Sequence, residues 1–143
     1  MATWWELAIP AGSALLGTVV GAGSQLALRR VQSRHERVLK MYDDRRALYA
    51  RTEAAAEGVL DGLRGRPAAG AGHEARQAWF DEILPVYEEL EASARLVRLI
   101  GSRPVVAATD RMTHAARRDT GPEAFVDLRS AFIEAARQDL GVT

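Results

Sequence analysis

The sequence predicts an all-α fold in which an N-terminal transmembrane helix continues through a stalk into an antiparallel bundle of about four helices. Three observations predict this fold. An uncharged apolar run lies near the N-terminus, every later segment repeats apolar residues at intervals of three and four, and no segment shows the two-residue alternation typical of strands. We expect residues 1–28 to be the tail and span, 29–37 a basic juxtamembrane stalk, and 38–143 the bundle domain.

The apolar run extends from Leu7 to Leu28 and contains no ionisable side chain. At about 1.5 Å per residue, such a helix spans roughly 30 Å, the thickness of the hydrocarbon core of a bilayer. Trp4 and Trp5 precede it, and indole rings favour the headgroup interface. A signal peptide, a surface helix and a buried helix are alternatives. They fit less well, because no Lys or Arg precedes the run, the run lacks a charged face, and it is long for so small a domain.

Basic residues follow the run, whereas none precedes it. Residues 29–46 hold seven Lys or Arg against three acidic residues. Because Lys and Arg mark the cytoplasmic flank of a span, we expect a bacterial cytoplasmic membrane protein with its N-terminus outside and residues 29–143 in the cytoplasm. The cluster either acts only as this topology signal or also contacts anionic lipid headgroups. The candidate lipid contacts are Arg29, Arg30, Arg34, Arg37 and Lys40.

Small residues recur every fourth position along the predicted span. The row consists of Ser13, Gly17 and Gly21, and Gln25 continues it. Such residues let two helix backbones approach closely, and an amide can hydrogen-bond across the pair. We therefore predict that the span self-associates and that the protein is a homo-oligomer. The alternative is that glycine and alanine are simply frequent in this chain.

Neither Gly nor Pro occurs between Ser24 and Glu57, so a helix leaving the span meets no stop signal. A seven-residue pattern typical of coiled coils runs along it. One position of the pattern is taken by Val31, Val38, Arg45, Thr52 and Val59, and the next by Arg34, Met41, Leu48 and Ala55. The stripe is widened by His35, Tyr42, Tyr49, Ala56 and Leu63. From Val38 onward, the pattern predicts a bundle helix with one buried face. Arg45 falls on that face, so we predict that it pairs with a carboxylate of the next helix.

Glycines are expected to weaken this helix from Gly58 onward, and residues 64–72 are predicted to form a loop. Three further amphipathic helices follow, at about 74–100, 104–118 and 122–140. Pro85 is expected to kink or divide the first of them, and Gly101 to end it. The residues predicted to face inward are Phe80, Ile83, Tyr87, Leu90, Ala94 and Val97, then Val105, Ala108, Met112 and Ala116, then Phe125, Leu128, Phe132 and Ala136.

The sequence contains few residues in patterns typical of catalytic, metal-binding or nucleic-acid-binding sites. The chain has no cysteine, and its 19 Lys and Arg balance its 19 Asp and Glu, which argues against a globally basic nucleic-acid binder. Asp110 and His114 share one helix face, but two ligands are too few for a metal site. The carboxylates around Glu88–Glu91 are interpreted as a solvated face that pairs with arginines. We therefore expect no enzyme, no catalytic, cofactor or metal site, and no nucleic-acid partner.

Three segments carry a resemblance: Asp43–Tyr49, Arg95–Ser102 and Ala135–Gly141. With the order of span, basic exit and Arg-rich helix, the chain resembles uncharacterised actinobacterial or phage-borne small single-pass membrane proteins with a helical cytosolic domain. The resemblance implies this architecture and assigns no activity to any residue.

These observations predict a membrane-anchored, non-enzymatic interaction or scaffolding module that contacts the lipid bilayer and an unknown protein partner. The alternative is a soluble all-helical oligomer subunit whose N-terminal apolar helix is buried in the assembly. A membrane-bound enzyme with a metal near Asp110 and His114 is a third, weaker interpretation.

Overall fold

The computed structural model describes residues 5–118 and 120–142, with side chains from Gln25 onward. It contains four helices: α1 (Trp5–Arg64), α2 (His73–Ile100), α3 (Arg103–Arg117) and α4 (Pro122–Leu140). No strand occurs in the described ranges. The predicted all-helical class and the helical bundle are confirmed. Two compact units are distinguished, Met1–Met41 and Tyr42–Thr143.

Most of the predicted span lies outside the described side chains, which begin at Gln25. Among the residues that the structure describes, no helix is both long enough and apolar enough to cross a bilayer. Helix α1 itself is continuous from Trp5 to Arg64. The transmembrane part of the predicted fold therefore stays a prediction.

The helices of the second unit run antiparallel to their neighbours. The contacts that join each pair occur in reverse order along the two helices. These contacts are Arg51–Glu89 and Gly62–Trp79 between α1 and α2, Arg98–Asp110 and Glu91–Arg117 between α2 and α3, and Tyr49–Asp139 and Glu57–Arg129 between α1 and α4. The order gives an up-down-up-down arrangement, in which successive helices are joined by short connections.

The core of the bundle is built from aliphatic residues and two phenylalanines. Its largest fully buried side chains include Phe125, Phe132, Leu60, Leu90, Met112, Val59, Val97 and Val105. The ring of Tyr49 meets that of Phe132 edge to face, with centroids 6.3 Å apart and an interplanar angle of 86°. The structure differs from the prediction at two places. Phe80 is exposed although its spacing predicts an inward position, and the buried face of α1 begins at Leu48 rather than at Val38.

Gly58 and Gly62 lie inside α1, which continues to Arg64. A Cβ atom on Gly62 would collide with the side chain of Ile83, and one on Gly58 would lie 2.8 Å from Cγ1 of Val86. The two glycines thus allow the close approach of α2, which offsets their low helix propensity. The helix ends at Arg64, and the predicted loop before His73 is confirmed.

Helix α2 passes through Pro85 without division. A proline removes the hydrogen bond to the carbonyl four residues earlier, which is that of Asp81. Both Pro85 and Asp81 are exposed, so water can satisfy this carbonyl. The free-energy cost of placing Pro85 inside α2 is therefore small, and tertiary packing keeps α2 a single continuous helix.

Candidate functional site

The five predicted lipid contacts form an exposed cationic face on α1. All five side chains are exposed, and none forms an ion pair with a carboxylate among the described residues. At 3.6 residues per turn they fall within an arc of about 140°. The cationic face consists of Arg29, Arg30, Arg34, Arg37 and Lys40. Its charge is therefore available to an external anion rather than being neutralised inside the fold.

The predicted self-association row is described only at its last member. Gln25 is exposed, whereas Ser13, Gly17 and Gly21 lie outside the residues whose side chains the structure describes. The pairing of spans through this row stays a prediction.

Arg45 has a different partner from the one predicted. Its Nε donates to the carbonyl of Ile100 at 2.6 Å, and its Nη1 lies 3.5 Å from Oδ2 of Asp139. The prediction of a carboxylate on the next helix is therefore wrong. The antiparallel packing of α4 brings its last turn beside this part of α1, while α2 contributes the carbonyl of Ile100. Arg45 thus binds the end of α2 and a carboxylate of α4 at once.

Tyr49 completes this polar cluster, which we call the α1–α4 clamp (Arg45, Tyr49 and Asp139). The buried Tyr49 hydroxyl donates to Oδ2 of Asp139 at 2.6 Å. Burial, together with this hydrogen bond to a carboxylate, raises the pKa of Tyr49 to about 12. The phenol therefore keeps its proton at neutral pH and serves as a structural donor. Its burial removes it from any external substrate.

The clamp predicts a loss of stability in alkaline solution. Tyr49 has a pKa of about 12 when folded, against 10.0 ordinarily, so the unfolded chain releases this proton first as pH rises. The contribution of Tyr49 to the free energy of unfolding is complete below pH 10 and declines as the pH rises toward 12, by at most about 3 kcal/mol. Urea titrations between pH 9 and 12 should show this decline in the wild type. The decline should be absent in Tyr49→Phe. Tyr42→Phe, which alters a more exposed ring, should retain it; equal slopes in all three proteins would contradict the assignment.

Two acidic residues of α2, Glu89 and Glu91, pair with arginines, as predicted. Arg51 donates through two nitrogens to Glu89, and Arg117 does the same to Glu91. These hydrogen bonds lower the pKa of both carboxyl groups. The pairs bridge α1 to α2 and α2 to α3, so their carboxylates serve packing rather than proton transfer.

Asp110 and His114, which the sequence places on one helix face, lie on the surface of α3. Asp110 accepts a hydrogen bond from Arg98 at 2.8 Å, and His114 is exposed. Within the described ranges, no three His, Cys, Asp or Glu side chains are grouped so as to hold a metal ion. The interpretation of Asp110 as part of a solvated, ion-paired face fits these contacts.

An apolar groove between α2 and α3 was not anticipated. It has a volume of about 340 Å³. Its lining includes the apolar side chains of Phe80, Leu84 and Tyr87 and the ion-paired side chains of Glu91 and Arg117. The sequence contains a signal for it, because the apolar face of α2 is wider than one neighbouring helix can cover. Phe80 and Leu84 lie at the edge of that face and remain exposed.

No protein-family model, curated protein or solved structure matches this chain. The resemblance to small single-pass membrane proteins therefore stays a prediction. Among the described residues, the cationic face and the groove are exposed, whereas Tyr49 of the clamp is buried.

Proposed function

We propose that this protein is a membrane-anchored, non-enzymatic interaction or scaffolding module of a bacterial cytoplasmic membrane. In this proposal, residues 7–28 cross the bilayer, the N-terminus is outside, and residues 29–143 lie in the cytoplasm. One observation carries the proposal: an uncharged run of bilayer length is followed directly by an exposed cationic face. A span with cations on one flank only is typical of a single-pass anchor with that flank inside.

The cationic face would strengthen the anchor from the cytoplasmic side. Juxtamembrane Lys and Arg attract anionic headgroups by about 1 kcal/mol each, and the attraction decays within a Debye length. The absence of ion pairs to described carboxylates supports this role, because a neutralised arginine would gain little from lipid. Residues 29–41 hold five Lys or Arg against one Glu, a net charge of +4.

The bundle would supply the interaction surface rather than a reaction. The described carboxylates and tyrosine with shifted pKa values are held in ion pairs or in the clamp. This favours a structural over a catalytic use of those groups. The groove between α2 and α3 adds an exposed apolar surface to the bundle, and such surfaces commonly mark contacts with other molecules.

Membrane fractionation tests the anchor. We expect the full-length protein to stay in the membrane pellet after carbonate extraction, because a spanning helix is released only by detergent. The double variant Leu15→Arg/Val20→Arg should move into the supernatant, since central arginines make insertion of the span unfavourable. Recovery of the wild type in the carbonate supernatant would contradict the proposal and favour the alternative, a soluble oligomer subunit.

The proposed orientation can be tested in the same preparation, because the chain has no cysteine. A membrane-impermeant maleimide should label Ala2→Cys in intact spheroplasts, and Val142→Cys only after lysis. Neutralising the cationic face with glutamine should leave the protein in the pellet and make part of the Val142→Cys population accessible from outside. The reverse labelling pattern would show that the orientation is wrong.

A further inference from the structure

An apolar stripe is exposed along α1 within its first compact unit. Leu28, Val31, Val38 and Leu39 are 62%, 65%, 63% and 51% exposed, and His35 lies between them, also exposed. We call these five residues the α1 stripe. Leu28 ends the proposed span, and the three large apolar side chains that follow it lie on one face of a segment outside the span, so this face is expected to contact a partner.

The stripe and the cationic face lie on opposite sides of the helix. At 3.6 residues per turn, the stripe occupies an arc of about 100°, and the five cations occupy an arc centred on the other side. A helix that lies on an anionic bilayer keeps its cations at the edges of the apolar face, where their stems reach the headgroups. A lipid surface therefore fits this arrangement poorly. Another helix fits it well, because packing on the stripe leaves the cationic face uncovered.

The spacing of the stripe indicates which helix would cover it. Leu28, Val31, His35 and Val38 are separated by three, four and three residues, as the core positions of a coiled coil are. Counting back seven and eleven residues from Leu28 reaches Gly21 and Gly17, the residues predicted to pair two spans. The stripe is thus in phase with the predicted self-association row on the same helix.

We propose that a second copy of this chain packs on the α1 stripe, parallel and in register. This inference rests on the proposed function, because an anchor is what would orient two copies alike and concentrate them in one plane. Three turns of helix are too short to pair stably in water without such help. Each segment carries a net charge of +4. The repulsion between two copies is tolerable because the cationic side chains lie on the side of each helix that faces away from the shared interface.

Single cysteines in the full-length protein test this pairing. Val31→Cys and Val38→Cys place a thiol on the stripe, while Ser33→Cys and Arg37→Cys place one on the opposite side. All four positions lie outside the hydrophobic core, so the bundle should fold in each variant. Mild oxidation in native membranes should give at least about fivefold more disulfide-linked dimer at both stripe positions than at either control, because a disulfide needs Cβ atoms roughly 4 Å apart.

The alternatives give different patterns. An antiparallel pair brings a residue opposite itself at one point only, so dimer at just one of the two stripe positions would overturn the parallel register. Equal yields at stripe and control positions, or no dimer with the stripe thiols shielded from maleimide by lipid, would overturn the pairing altogether. Carbonate extraction of the same samples keeps the two proposals separate. Protein that pellets without specific dimer refutes the pairing alone, whereas soluble protein with stripe-specific dimer refutes the anchor alone.

A matched charge variant provides a second measurement. Val38→Lys and Ser33→Lys add the same charge to α1, on the stripe and opposite it respectively. In the Val31→Cys background, the first should lower the dimer yield at least about fivefold, because two facing ammonium groups would be buried together. The second should leave the yield unchanged. Equal effects of the two variants would indicate nonspecific charge repulsion and overturn the proposal.

Discussion

Replacing Phe132 with alanine is expected to lower the free energy of unfolding of the bundle by about 4 kcal/mol. The side chain is 1% exposed and lies in the core beside the ring of Tyr49. Its removal loses both the transfer free energy of the ring and the edge-to-face contact, and the helices around it can close the cavity only in part. The total free energy of unfolding of a domain is typically roughly 5–15 kcal/mol, so such a loss leaves the bundle only marginally stable.

The matched control is Phe80→Ala, the same substitution at a side chain that is 47% exposed. We expect a loss below about 1 kcal/mol there, because little buried surface disappears. Both losses in unfolding free energy can be measured by urea unfolding, with circular dichroism as the signal. Equal losses at the two positions would mean that the core is not centred where the structure puts it.

Replacing Asp139 with alanine is expected to lower the free energy of unfolding by about 3 kcal/mol. The carboxylate is the acceptor for the buried hydroxyl of Tyr49 and lies beside the guanidinium of Arg45. Its removal leaves a buried donor without a partner and a half-buried cation without its counterion. Asp127→Ala, which removes a carboxylate outside the clamp from the same helix, should change stability by less than about 0.5 kcal/mol.

A double-mutant cycle isolates the hydrogen bond within the clamp. Tyr49→Phe should cost much less in the Asp139→Ala background than in the wild type, because the hydroxyl has then already lost its acceptor. Additive losses would show that the two residues stabilise the bundle independently, contrary to the geometry of the clamp.

The fold class and most helix ends are predictable from the sequence, because local signals determine them. Gly101 ends α2, Ser102 precedes α3, and the glycine-rich segment after Arg64 separates α1 from α2. Gly62, which is expected to weaken α1, lies within the helix for a physical reason. A glycine weakens an isolated helix, but here it admits Ile83 of a neighbour, and that compensation appears only in the tertiary structure.

Long-range partners are less predictable. The residue type and position of Arg45 indicate that it needs a partner, but many carboxylates are available and only the topology selects Asp139. The edge position of Phe80 poses the same difficulty, since a spacing pattern shows which residues share a face and not how much of that face a neighbour covers. The cationic face follows from the sequence alone, because exposed charges on a helix beyond the bundle depend on no distant contact.

The ion pairs between helices have a consequence for the accuracy of assembly. Each exposed pair, such as Arg51–Glu89, Arg98–Asp110 or Arg117–Glu91, adds little to stability. A slip of one helix past another by one turn, about 5.4 Å, would separate the partners of every pair along that interface together. The arginines would thus specify the register of neighbouring helices, because only the native alignment forms all of the ion pairs at once.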